Sequence, residues 1–467
     1  MNQAQPPRLD QQQSTHSLHE VGTFPWRLIA VLSLVGCIAA EVLQNIAPID
    51  HNTLLLFWFF PASLLLFSQL YIGSLFTRYF EIKLLLVFFG WACTTVALNH
   101  ASAQMVDSYQ WFAGTCAAIF LCFSLPYAYE QASAKRVLTW LAVATLIAVM
   151  LLSVVCLIAV FAKDVAAKAP SIFDGIEIAG GRLRINNHPN RSAPLPAIGV
   201  ILAGYLLAAS KKGWQRVLTV LCGAVCFIPL ALTASRTAII STGIAVGFEV
   251  FIALGDALKN RMRVPLRWFL CVVAACFVIF AVYKGSEFVA QASNIAVASQ
   301  SGANEEEIAA RDLSDADNFN GRTDIWLGVW NGLLENPKIL AFGTGPTLAS
   351  GVMTPYFPAD SPIGIFHNSL LGTLVAFGVP GLILAVAFIA LVARAAIRLS
   401  FGRKQMQSLA VRMLPAVVLF AVSEGMMEDF LFSVCALNIV WVWFMIAAGF
   451  ILRLGKEEPA GQVQEQL

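Results

Sequence analysis

Five short stretches of this sequence carry residue types suited to chemistry. The richest is Gly180-Gly181-Arg182-Leu183-Arg184-Ile185-Asn186-Asn187-His188-Pro189-Asn190-Arg191, with three arginines, three asparagines and a histidine. A guanidinium is a planar fork of donors that meets phosphate oxygens in pairs; interfacial arginines bonded to lipid headgroups would produce the same composition. Ser235-Arg236-Thr237 falls between two apolar runs. A charge buried at membrane depth costs about 2.5–3.5 kcal/mol, so Arg236 needs an anionic partner: Glu424, Glu428 or Asp429 of this chain, or a ligand phosphate. Gly321-Arg322-Thr323-Asp324 opens an expected helix, where a helix N-terminus and an arginine together suit an anion; a surface contact of Arg322 with Asp324 is the plainer reading. Gly343-Thr344-Gly345-Pro346 allows close backbone approach but lacks the lysine of a nucleotide loop. Phe366-His367-Asn368-Ser369 supplies an imidazole, the side chain best suited to proton transfer near neutral pH. Asn368 and Ser369 are placed to orient it or a substrate hydroxyl, although a lone histidine at a helix start also serves as a cap or packs there.

No metal centre is expected. Asp315-Ala316-Asp317 has a cation-like spacing but sits among Glu305, Glu306, Glu307 and Asp312, which reads as a solvated acidic loop. Cys222 and Cys226, one turn apart, read as helix packing rather than a ligand pair. All ten cysteines fall within apolar runs, so no disulfide framework is indicated.

The elements that must hold these residues are set by composition. Of the 467 residues 58% are hydrophobic and 12% charged, against about 45–50% and 25% in soluble domains. So little charge cannot coat a water-facing surface. A cytosolic enzyme, a nucleic-acid binder and a disordered chain are excluded, and continuous rather than alternating apolar runs disfavour a β-barrel. The expectation is an all-α polytopic membrane protein. Windows long enough to span occur at about 27–47, 54–76, 82–99, 111–129, 137–161, 193–209, 216–233, 236–255, 267–283, 368–393, 411–427 and 430–452, about twelve transmembrane helices. Residues 1–26 form a polar tail without the layout of a cleaved signal, 27–453 the membrane domain and 454–467 a second tail. Most of the 30 Lys and Arg residues lie on the side of the two termini, and the 28 acids lean the other way, which places both termini in the cytoplasm.

Two loops on the far side are long, about 162–192 and 284–366. Within the second, 303–319 reads as loose and acidic. Residues 323–336 read as a helix with Thr323 as N-cap and Pro337 as stop. Its stripe is Ile325, Trp326, Val329, Trp330, Leu333 and Leu334, and it is too short to span, so it should lie on the bilayer surface or over the bundle. The basic and histidine clusters all collect at this far rim, which suits a ligand joining concentrated negative charge to a membrane anchor. Glu41 and Glu249, inside spans, keep a transporter of such a ligand in view.

Taken in order, Arg184-x-x-x-His188-Pro189-Asn190, Ser235-Arg236-Thr237, Gly321-Arg322 followed by Trp326 and Asn336-Pro337, Gly343-x-Gly345-Pro346, and His367-Asn368 followed by Gly378-x-x-Gly381 resemble the pattern of bacterial O-antigen ligases. These are grouped with O-antigen polymerases and protein O-oligosaccharyltransferases. The resemblance covers the C-terminal two-thirds. It implies a metal-independent, inverting glycosyltransferase of the GT-C type with no cofactor. Such an enzyme works at the periplasmic face of the bacterial inner membrane, moving O-antigen from undecaprenyl diphosphate to lipid A–core, with membrane lipids around it and no nucleic acid. Carried over motif by motif, His367 is the general base, and Arg236 and Arg322 bind the diphosphate. Arg184, His188, Asn190, Arg191 and Asn368 line the site, and Lys83 matches a basic residue of some relatives. A polymerase or a protein-glycosylating enzyme would use the same donor, and a flippase or exporter of lipid-linked glycan is the reading from a different class.

Overall fold

The computed structural model describes residues 79–99, 105–128, 131–173, 175–179, 182–185, 189–301, 321–346, 348–358, 366–402, 408–432 and 438–455, with positions 31, 32, 34–36, 38 and 42. The chain is an all-α membrane protein. Among the described residues six helices are long and apolar enough to cross a bilayer. The helices are α1 (Phe80–Leu98), α2 (Met105–Ser124), α3 (Gln131–Phe161), α4 (Pro194–Ala209), α5 (Gly213–Leu232), α6 (Arg236–Ala257) and α7 (Val264–Ser301). After them come α8 (Arg322–Glu335), α9 (Pro337–Phe342), α10 (Ser369–Phe401), α11 (Pro415–Gly425) and α12 (Ile439–Leu454). Each expected window from 82 onward overlaps one of these helices, and those at 82–99, 137–161, 216–233, 236–255, 267–283 and 368–393 fall on the six long enough to span; 54–76, most of 27–47, and Glu41 lie outside the described residues. So do 303–319 and Asp315-Ala316-Asp317.

Two helices mark the extremes of environment. α12 is apolar on every side, and all of its residues but Arg453 are buried; a helix hydrophobic all round belongs in the interior. α2, α10 and α11 pack about it. By contrast the Val264–Ser293 part of α7 is largely unburied, and Phe269, Phe277, Phe280 and Phe288 point outward. Helix α6 joins the two regions, packing along α7 on one side and α11 on the other.

Three local features depart from the sequence reading. α7 does not end near 283. It runs on to Ser301, 38 residues in all, about 57 Å at 1.5 Å per residue against a hydrocarbon core of about 30 Å. The extension is rich in Ala, Ser and Val, contains no proline, and carries a Lys284–Glu287 pair at 2.6 Å, so nothing in it stops the helix. Residues 176–185 contain an antiparallel β-hairpin, β1 (Ile176–Ala179) and β2 (Arg182–Ile185), pairing Glu177 with Arg184 and Ala179 with Arg182. Finally, the external helix α8 starts at Arg322, with Gly321 rather than Thr323 at the N-cap, at φ 77°. It buries Ile325, Val329 and Leu333 and packs Trp326 partly buried against the core, but leaves Trp330 and Leu334 exposed, so four of the six residues of the expected stripe face the bundle.

α10 is broken rather than continuous. Gly378 lies at φ 65°, ψ −172°, a conformation almost confined to glycine, and Pro380 has no N–H for the Ala376 carbonyl. Three carbonyls at the break are taken by neighbours: Thr344 N donates to Val375 O at 3.0 Å and Gly345 N to Ala376 O at 2.9 Å. The Trp91 indole donates to Phe377 O at 2.7 Å. Broken helices are tolerated at membrane depth when neighbours re-satisfy the backbone in this way. The Gly343-Thr344-Gly345-Pro346 segment is thus committed to α10, and the N–H groups of Thr344 and Gly345 are not presented to a phosphate.

Candidate active site

The site forms where four segments meet: the stretch from β2 to Asn190, the α5–α6 turn, the start of α8, and the start of α10 with the loop after α11. At the last of these, Asn368 caps α10: its Oδ1 accepts from Leu370 N and Leu371 N, both at 3.0 Å, and its Nδ2 donates to Met426 O at 3.1 Å. Ser369 Oγ donates to Glu428 O at 2.8 Å and accepts from Phe430 N and Leu431 N at 3.0 and 2.9 Å. These bonds fasten the 426–431 loop beside His367. Gly372, one turn further on, is required for the fit: a Cβ there would stand 2.8 Å from Asp429 Oδ1.

The centre of the site is the Glu428 carboxylate, 4% exposed. Its Oε2 lies 3.0 Å from His367 Nδ1. Its Oε1 accepts from Arg322 Nη2 at 2.5 Å and from Asn190 Nδ2 at 3.0 Å. Arg322 Nη1 also donates to Thr237 Oγ1 at 3.3 Å, the residue after Arg236 in the first turn of α6. Asn190 Oδ1 accepts from Arg182 Nη2 at 2.8 Å, and Arg182 Nε donates to Thr233 O at 2.8 Å. Buried carboxylates persist only when paired and hydrogen-bonded; here an arginine, an asparagine and a histidine supply the partners.

Of the residues singled out by sequence, His367, Arg322 and Asn190 share this one carboxylate. Arg236 stands one residue from Thr237, within the same turn. The plainer reading of Arg322, a contact with Asp324, does not hold: Arg322 is buried and faces Glu428, while Asp324 is exposed. Arg184 lies on the same face of β2 as Arg182, with its Nε buried and without a hydrogen bond among the described residues. Asn368 serves as helix cap and loop tie. Lys83 is exposed in the first turn of α1, whereas Asn99, just past the other end of that helix, reaches Gly343 O at 3.4 Å; α1 therefore separates Lys83 from the α9–α10 region. His188 lies outside the described residues, as does the side chain of Arg191. Cys226 is buried against Gly199, and Cys222 Sγ lies 3.5 Å from Met150 Sδ, which is packing.

Glu428, Arg182 and Thr237 were not identified as site residues from sequence. The signal available was Glu424, Glu428 and Asp429 closing an otherwise apolar run, recognised there only as possible partners of Arg236. Glu424 is fully buried one turn before Glu428.

The backbone adds a second mark of the site. The non-glycine residues with positive φ among those described are Ala234 (47°), His367 (50°) and Phe432 (56°). Each belongs to a segment of this cluster, and such strain persists only where surrounding structure over-determines it.

No curated protein matches the chain. Residues 220–386, from within α5 to within α10, match the sequence model of the O-antigen ligase family. The matched stretch carries Ser235-Arg236-Thr237, Arg322 and His367, and over that stretch the chain is similar to the O-antigen ligase family.

Proposed function

We propose that this protein is a glycosyltransferase that moves O-antigen polysaccharide from undecaprenyl diphosphate to a sugar hydroxyl of lipid A–core. It acts at the periplasmic face of the bacterial inner membrane, with both termini in the cytoplasm. The observation that carries this reading is the sharing of one buried carboxylate between His367 and Arg322, beside the α6 turn that bears Arg236.

The chemistry follows from the groups. The acceptor oxygen attacks the anomeric carbon opposite the phosphate, forming the new C–O bond as the bond to the diphosphate breaks, with inversion. The acceptor proton passes to His367 Nε2, and the electron pair leaves on the diphosphate. Arg322 commits Nη2 to Glu428 and Nη1 to Thr237, which leaves further N–H donors on the fork. With Arg236 it offsets the charge that builds on the leaving group, often the largest contribution to such a rate. General-base assistance adds about 10²–10⁴-fold. In this reading Arg184, His188 and Arg191 line the same rim, and guanidinium groups do the work a metal does elsewhere.

The test is deletion of the gene in its host and complementation with His367→Ala, Arg322→Ala or Arg236→Ala. Loss of the lipopolysaccharide ladder with intact core, and accumulation of lipid-linked polymer, is expected for the deletion and for each variant at wild-type membrane levels. A single-repeat band in the deletion would instead indicate a polymerase. Full ladders from the variants would overturn the site.

A further inference from the structure

We infer that Glu428 is the positioning residue of this site, setting the His367 tautomer so that Nε2 carries the lone pair that takes the acceptor proton. The assignment rests on the glycosyl-transfer reading above. An ionised carboxylate only accepts hydrogen bonds. The 3.0 Å contact between Glu428 Oε2 and His367 Nδ1 therefore requires the proton on Nδ1 and leaves Nε2 free as base. The orientation of the carboxylate is itself fixed from both ends. Oε1 receives Arg322 Nη2 and Asn190 Nδ2, and the Glu428 main-chain carbonyl receives Ser369 Oγ, two residues from His367. Carboxylate and imidazole are thus held by a common frame rather than by their own contact alone. Glu428 lies outside the stretch that matches the family model, and Arg182 and Asn190, which brace it, lie outside it as well.

This arrangement makes an asymmetric prediction. In Glu428→Gln the amide oxygen must take the Oε1 position, because two donors already point there. The amide NH₂ then faces His367 Nδ1. The imidazole must accept at Nδ1, which moves its proton to Nε2 and removes the base. Glu428→Asp shortens the side chain but keeps a group that can only accept.

The experiment uses purified full-length protein in detergent, undecaprenyl-diphosphate-linked glycan as donor and lipid A–core as acceptor, with rates expressed per inserted molecule. Glu428→Gln is expected to lose about 10²–10⁴-fold in kcat, the range seen when an orienting carboxylate or a general base is removed, with the donor KM changed less than about threefold. Glu428→Asp is expected to retain more activity than Glu428→Gln, although glutamine is the closer match in size. The reverse order would assign Glu428 a packing role and overturn the inference, as would near-wild-type kcat in Glu428→Gln, or failure of Glu428→Gln to insert when Glu428→Asp does. An active His367→Ala would instead defeat the glycosyl-transfer reading, which separates the two failures.

Discussion

His367 and Asp429 face different constraints although both flank Glu428. His367 is held by geometry, at φ 50° on the N-terminal side of a capped helix. Asp429 is governed by electrostatics. Burial first, and the neighbouring Glu428 charge second, raise its carboxyl from 3.8 to about 7. The folded protein thus retains a proton on Asp429 that the unfolded chain releases. Below the unfolded value both states are protonated and stability is unaffected. Between that value and about 7 the unfolded state loses its proton first, so stability falls as pH rises; above about 7 the loss is complete. Asp429→Asn abolishes this titration. Its melting temperature in detergent is expected to exceed that of the wild type by more at pH 8 than at pH 4.5. An equal difference at both pH values would show that folding does not shift the Asp429 titration.

At the level of elements, α10 and the α9 loop are fitted to each other through two glycines. Gly343 lies at φ 75°, ψ 176°, and a Cβ on it would stand 2.3 Å from Ala376 O; a Cβ on Gly378 would stand 2.7 Å from Ala341 O. Both clashes are with backbone and cannot be relieved by a rotamer change. Gly378→Ala is therefore expected to destabilise the protein by about 2 kcal/mol or more, combining strain at a glycine-only conformation with displaced backbone. The check is a thermal unfolding shift in detergent together with lost linkage activity. The membrane helices were legible in the sequence because a run of apolar residues has few other fates, and α8 was legible because Ile325, Val329 and Leu333 recur at helical spacing. The hairpin was missed although its signal was present: Ile176 and Ile178, then Leu183 and Ile185, alternate about Gly180-Gly181, a recognised hairpin pattern. Its strands are only four residues long, and Arg182 and Arg184 within β2 give the same stretch the composition of a phosphate-binding segment. The Glu428 hub was not legible for a different reason. It joins residues 61 and 106 positions apart, and no local spacing encodes such a meeting.

For the whole molecule, the charge asymmetry, the site and the exposed face of α8 bear on one question, which side of the bilayer carries the chemistry. Arg261 and Arg263 are exposed in the turn between α6 and α7, opposite in chain direction to the α5–α6 turn that contributes Thr233 and Thr237 to the site. One passage of α6 through the membrane separates them, because its 22 residues span about 33 Å. Leu334 is 57% exposed on α8, the helix whose first residue is Arg322. If the site faces the periplasm, Leu334→Cys is reached from outside and Arg261→Cys is not. In a background with the native cysteines replaced, a membrane-impermeant maleimide is expected to label Leu334→Cys in cells with a permeabilised outer membrane, and Arg261→Cys only after the inner membrane is broken. The opposite pattern would put the site on the cytoplasmic side and overturn the periplasmic placement of the proposed function. Equal labelling of both positions in intact inner membranes would mean that α6 does not cross.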